Sequence, residues 1–245
     1  MPRFLHVGCG PDSKGPKTPG FEGPEWSEVR FDINPSVSPD LIGTMTDMSA
    51  VKTGSMDAIF SSHNIEHLYP HEVPIALEEF KRVLTPDGFV AITCPDILSI
   101  AQFIAARGLG DTAYMSTMGP ITPLDMLYGH QSSIRDGKHY MAHRCGFTAQ
   151  TLQQTLQRAG FGKICAVWRP SQFVLWAIAT KANCSNETIT TLARRHIPDF
   201  ARQLDAAPPA AEALAPAQRP LVAKTSPAPA PLPSASSKSG RKRRG

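Results

Sequence analysis

The chain has 245 residues, of which 41% are hydrophobic and 19% charged, which reads as an ordinary globular protein with room for one sizeable domain plus extensions. Its net charge of +4 belongs to one end. Residues 206–245 hold seven Lys/Arg against Glu212, leaving the remaining body at −2, so the basic balance says nothing about nucleic-acid binding by the folded part, and no specific nucleic acid is expected.

No apolar run approaches the roughly 18 residues that a membrane span needs, and no charged region precedes a long apolar core at the N-terminus, so neither a span nor a secretory leader is expected. The five cysteines are odd in number, widely spread and free of Cys-x-x-Cys. They exclude a disulfide framework and a zinc ribbon, and free thiols fit a cytoplasmic setting.

In chain order, residues 3–7 read as a short buried strand that ends in Gly8-Cys9-Gly10. Glycines at such a turn reach dihedrals closed to other residues and are expected to present bare N–H groups to a ligand. The stretch from Pro11 to Glu28 is crowded with proline and glycine, so the helix expected after a first strand is vestigial. Residues 28–33 alternate toward a second strand ending at Asp32, and residues 40–43 suggest a brief third, with Thr46-Asp47-Met48 in the loop beyond. Residues 56–62 form the next strand.

A helix follows over 72–84, with Pro74 in its first turn and Val73, Ala76, Leu77, Phe80, Val83 and Leu84 on one face. Thr85-Pro86-Asp87-Gly88 reads as a turn, and 89–94 as a strand covered on both faces. A short helix spans 97–107. Residues 97–145 are read as an insertion, irregular from Gly110 onward. Thr148 caps a helix closed by Gly160. Residues 163–168 and 173–181 make an antiparallel pair, and 186–204 an amphipathic helix interrupted near Pro198. The Ala/Pro/Ser-rich remainder cannot bury a core and is expected to be disordered.

Strands alternating with helices imply a doubly wound α/β fold with a mostly parallel sheet. Ligands of such sheets bind beyond the carboxyl ends of the strands, near the switch in strand order. Gly8–Gly10, Asp32, Asp47 and Ser61–His63 all fall there. An acidic residue about 20 positions after Gly-x-Gly suits a ribose, in either a dinucleotide or S-adenosylmethionine. Against the dinucleotide stand three features: Asp12 where a third glycine belongs, the missing helix N-terminus for a pyrophosphate, and the antiparallel ending.

Together these motifs resemble the class I S-adenosylmethionine-dependent methyltransferases of the bacterial group called methyltransferase type 11. The text that carries the resemblance is Leu5–Gly10, Asp32-Ile33, Thr46–Met48, Asp57–Leu68, Glu79–Gly88 and Gly146–Thr148. It implies a seven-stranded, mostly parallel sheet with an antiparallel C-terminal strand. It further implies S-adenosylmethionine as cofactor and a small-molecule methyl acceptor, a sugar or other hydroxylated compound.

By that resemblance Gly8 and Gly10 approach the methionine and ribose, and Asp32 holds the ribose hydroxyls. Asp47 and the Met48 backbone take the adenine, while Ser62 and His63 face the sulfonium. Methyl transfer is an in-line displacement that needs positioning and desolvation more than covalent help. Where a hydroxyl acceptor needs a base, His63 or His143 is the candidate. His130, His139 and His143 could also be read as a metal trio, but no helix supports that spacing, and no metal is expected.

The bland readings are a strand-end carboxylate for Asp32, a turn cap for Asp47 and a helix-dipole partner for Glu66. The Tyr/Met-rich stretch 114–141 is either an adaptable acceptor lid or a satellite core. The expected organisation is a methyltransferase domain over 1–181, a helical extension over 182–205 and a basic tail over 206–245. The competing functions are an NAD-linked oxidoreductase and a non-catalytic adaptor working through the tail.

Overall fold

The computed structural model describes residues 1–200, so the expectations for the tail and for Leu204 lie outside the described residues. Five strands run parallel: β1 (Arg3–Val7), β2 (Ser27–Asp32), β3 (Leu41–Ile42), β4 (Met56–Ser62) and β5 (Leu84–Pro95). Two more close the sheet, β8 (Ile164–Arg169) and β9 (Val174–Thr180), with β9 antiparallel to both β5 and β8. The order is β3-β2-β1-β4-β5-β9-β8. The order reverses at β1, so the crevice belongs where β1 and β4 end.

Alternation along each strand divides the core in two. Leu5, Val7, Ile59, Val90 and Ile92 face one side, where α1 (Val73–Val83) lays down Ala76, Leu77, Phe80 and Val83, and α5 (Ala149–Arg158) adds Leu152 and Leu156. Phe4, Ala58, Phe60, Phe89 and Ala91 face the other. That face gets no helix from the segment after β1, which the structure leaves in turns from Gly10 to Trp26. Phe21 and Trp26 from that segment cover it, joined by Ile189 and Ala193 of α6 (Asn186–His196). The proline and glycine content predicted the missing helix. The residue that replaces it, Phe21, is fully buried and stacked on Phe4 with ring centroids 4.4 Å apart.

One turn is absent. Thr85–Gly88 does not end a helix and restart a chain; it lies within β5. Met56 pairs with Leu84 and Ala58 with Phe89, so four residues on β5 oppose Asp57 alone. The result is a wide irregularity that keeps the strand continuous on both sides.

Between β5 and α5 the chain builds small elements of its own. These are α2 (Ile97–Ala106), the hairpin β6 (Tyr114–Ser116) with β7 (Gly119–Ile121), α3 (Pro123–Tyr128) and α4 (Gln131–Arg135). Asp96 caps α2 by accepting from Leu98 and Ser99, and Thr122 and Asp125 form a reciprocal capping box on α3. Ile100, Ile121 and Met126 bury a satellite core there, while Tyr114, Met115, Met118 and Tyr128 stay exposed.

Candidate active site

A cleft of about 480 Å³ opens at the carboxyl ends of β1, β2 and β4, within the usual size of a small-molecule site. One wall is Gly8, Gly10, Asp32, Ile33 and Asn34, continuing along Gly43–Thr46. The facing wall is Ser62, His63, Asn64 and His67 with Ser133, Lys138, Tyr140, Met141 and Arg144.

Gly8 and Gly10 both adopt the left-handed region, with φ of 63° and 58°. Their amides are not bare, as the sequence had suggested. Gly8 donates to the Phe31 carbonyl at 2.8 Å, and Gly10 donates to Asp32 Oδ2 at 2.8 Å. The two glycines serve the turn in different ways. A Cβ on Gly8 would lie 1.9 Å from Asn64 Oδ1, so Gly8 makes room for Asn64. A Cβ on Gly10 would meet nothing within 4 Å. Asn64 in turn donates to the carbonyls of Val7 and Ser62, at 2.9 and 3.0 Å, and ties the tips of β1 and β4 together.

Asp32 ends β2, 8% exposed. Each carboxylate oxygen accepts one backbone N–H, from Gly10 and Asn34 at 2.8 Å, and no cation pairs with it among the described residues. Each oxygen therefore keeps a lone pair for a ligand hydroxyl, in a fixed position. Beside it Ile33 is 49% exposed at the cleft wall.

Asp47 and Met48 are not brought to this cleft. Asp47 lies on another depression with Ser49, Glu78, Glu79 and Arg82, and hydrogen bonding from Ser49 holds its carboxyl below the ordinary value. Met48 is fully buried, and its N–H is already donated to Glu79 Oε2 at 2.8 Å. Arg82 fixes that arrangement by bonding both Glu79 oxygens and the Met48 carbonyl. The residues before them, Gly43 to Thr46, line the cleft instead.

Ser62 and His63 do sit at the cleft, where the sequence put them. Ser62 pairs its hydroxyl with Thr93 at 2.9 Å. His63 holds a positive φ of 54°, an uncommon state for a side-chain-bearing residue, and donates its N–H to the Thr93 carbonyl at 3.0 Å. Its ring is half exposed, with Nδ1 3.2 Å from Glu66 Oε1. Both residues also border a second cleft of about 420 Å³, shared with Thr93, Tyr114, Gln172 and Trp176.

His143 stands apart. It does not line the main cleft; it packs behind His67, ring centroids 4.9 Å apart, and burial lowers its pKa. His130 caps α4 by bonding Ser133, and His139 is exposed, so the trio His130, His139 and His143 is not assembled.

The facing wall was the least legible part. Lys138, Tyr140, Met141 and Arg144 reach the cleft because the Arg144 and Cys145 amides both donate to the Glu66 carbonyl, at 2.8 and 3.2 Å. That pins the end of the inserted segment to the turn after β4. Tyr140 also meets Asn34 across the mouth at 3.3 Å. No local pattern announces such contacts, which join residues more than 75 apart.

Residues 5–92 match the family model described as a methyltransferase domain. No curated protein matches the sequence. Among solved structures, the chain is similar to a SAM-dependent methyltransferase from Methanosarcina mazei, at 16% identity, TM-score 0.48, covering 74% of this chain and 93% of that one. It is also similar to the 1,6-didemethyltoxoflavin-N1-methyltransferase of Burkholderia thailandensis with S-adenosylhomocysteine bound, at 16% identity, TM-score 0.45, covering 74% and 71%. A third is the CMeT domain of citrinin polyketide synthase, at 13% identity and TM-score 0.47; the chain spans about half of it, 47%, over 75% of its own length.

The residues present fit the nucleoside of a methyl donor: a buried, unpaired carboxylate at the β2 tip, a glycine turn beside it with open space at Gly10, and an apolar strip beyond. A dinucleotide finds no helix N-terminus after β1 for its phosphates. Residues 5–92 thus match a methyltransferase domain by sequence, and they supply the strands whose tips form the cleft.

Proposed function

We propose that this chain transfers the methyl group of S-adenosylmethionine to a small, oxygen-rich acceptor, a sugar or another hydroxylated compound. The observation that carries the reading is the two-sided cleft. One wall has what a nucleoside needs; the other is supplied by residues 133–144 and bears Lys138, Arg144, Tyr140 and Ser133, polar groups suited to an acceptor rich in oxygen.

Asp32 would accept from both ribose hydroxyls. The strip Ile33, Gly43 and Thr44–Thr46 would take the adenine, in place of Asp47 and Met48. Gly10 would leave space for the methionine moiety, and Ser62 and His63, on the border of both clefts, would lie nearest the sulfonium. The donor brings a reactive methyl on a cationic sulfur. The protein's work is to bring donor and acceptor into line and to exclude water.

His63 would take the acceptor proton: it stands half exposed on the cleft wall, on the border of both clefts. His143 stands behind His67 and would act through it. The domain would run through β9, with α6 as part of its packing. Residues 97–145 would form the acceptor side.

The test is a calorimetric titration with S-adenosylhomocysteine, repeated with NAD and on Asp32→Ala, followed by a screen of metabolite fractions with methyl-labelled donor. The reading requires tight binding of the first ligand, none of the second, and label in a small molecule. Silence toward S-adenosylhomocysteine at millimolar concentration would overturn it.

A further inference from the structure

Glu66 is 1% exposed, and neither of its carboxylate oxygens accepts a hydrogen bond among the described residues. A buried carboxylate without hydrogen bonds is costly, and the fold keeps one only where something compensates it. His63 lies 3.2 Å away but outside hydrogen-bond alignment. Besides His63, the rings of His67 and His143 converge on the carboxylate. One ligand-type atom from each of Glu66, His67 and His143 lies within 4.8 Å of the others.

The other ring nitrogens are already committed. His67 Nδ1 meets the Ala142 carbonyl at 3.1 Å, and His143 Nδ1 meets the Met126 carbonyl at 2.9 Å. A carbonyl can only accept, so each Nδ1 carries the hydrogen and each Nε2 is left with a free lone pair. Backbone carbonyls that fix the tautomer and aim of two imidazoles are the outer partners that metal-ligating histidines have.

We propose that Glu66, His67 and His143 bind a divalent transition-metal ion, with zinc as the default occupant. Two imidazoles and one carboxylate are a zinc donor set of the three-ligand kind, which leaves a coordination position open. Ligand atoms around zinc stand about 3.4 Å apart, within reach of small side-chain rotations here. Cys145 is close by but donates its S–H to the Ile65 carbonyl, so it is not one of the donors. Of the three ligands, His67 lines the main cleft. There the ion would take an oxygen of the acceptor, a consequence that rests on the acceptor reading above; the site itself does not.

The test uses the untagged full-length chain, stripped with chelator and then titrated with Zn²⁺ and with Co²⁺ as a spectroscopic probe. The expected result is one ion per chain, visible Co²⁺ absorption of a nitrogen/oxygen site, and a metal-dependent rise in melting temperature. Glu66→Gln and His67→Gln should each weaken binding at least about 30-fold. His67→Gln, on the cleft wall, is the check should Glu66→Gln fail to fold. The double substitution His71→Ala, His139→Ala, which removes two exposed histidines, should leave affinity within about two-fold.

No binding at 100 µM metal, or binding that survives both ligand substitutions and is lost in the surface pair, overturns the site. S-adenosylhomocysteine titrated in parallel reports separately on the methyltransferase reading.

Discussion

Asp32 and Asp47 are both loop-side carboxylates beyond strand ends, yet only one can serve the cleft. Asp32 is buried, clamped by two amides and aimed at the cleft with lone pairs to spare; Asp47 is turned to solvent. On the proposed reading, removing the Asp32 carboxylate would delete two charged hydrogen bonds to a ribose, each worth about 1.5–3 kcal/mol. Asp32→Ala should therefore weaken S-adenosylhomocysteine roughly 100-fold or more in a calorimetric titration. Asp47→Ala should leave that affinity within about two-fold, since among the described residues it bonds Thr44 and Ser49 and lines another depression beside Arg82. Equal losses from the two substitutions would return the adenine to Asp47.

At the scale of elements, the turn after β1 is where two glycines of the same text do different work. Gly8→Ala adds left-handed strain to a collision with Asn64, the residue that laces β1 to β4. It should cost about 2–5 kcal/mol, read from the denaturant midpoint. Gly10→Ala meets open space and should cost only about 1–2 kcal/mol. Its added methyl borders the cleft, so it should lower cofactor affinity more than stability.

The spacing of glycine, Asp32 and Ser62-His63 was legible because a parallel sheet lines up strand tips by rule. The strands, α1, α5 and the missing first helix were legible for the same kind of local reason. What local pattern could not give is the far wall. Lys138 to Arg144 arrive through two amides seeking the Glu66 carbonyl, and the Glu66, His67 and His143 trio exists only because that contact forms. Asp47 and Met48 lie away from the cleft for the converse reason. Their text matches a nucleoside loop, but Glu79 and Arg82 of α1 claim the Met48 backbone.

Across the whole molecule, the face left bare by the missing helix is sealed by two segments far apart in sequence, and His196 is the seam. It is 1% exposed, packed on Phe21 and Phe89 with centroids 4.4 and 4.9 Å apart, and its Nδ1 meets the Pro19 carbonyl at 3.1 Å. Gly20 is glycine because a Cβ there would lie 2.4 Å from that same nitrogen. Burial pushes the His196 pKa down from 6.5 to about 4. The folded protein therefore binds this proton more weakly than the unfolded chain does. Stability from this group is whole above pH 6.5 and drains away as pH falls to about 4, by about 3 kcal/mol. His6 and His143, also lowered by burial, add to the loss with the same sign. His196→Gln keeps a donor toward Pro19 but cannot take up a proton in this range. Chemical denaturation at pH 7 and pH 4.5 should show a drop in the unmodified chain that shrinks by about 2–3 kcal/mol in the variant. An unchanged drop would place the acid sensitivity elsewhere and leave this seam without a role in it.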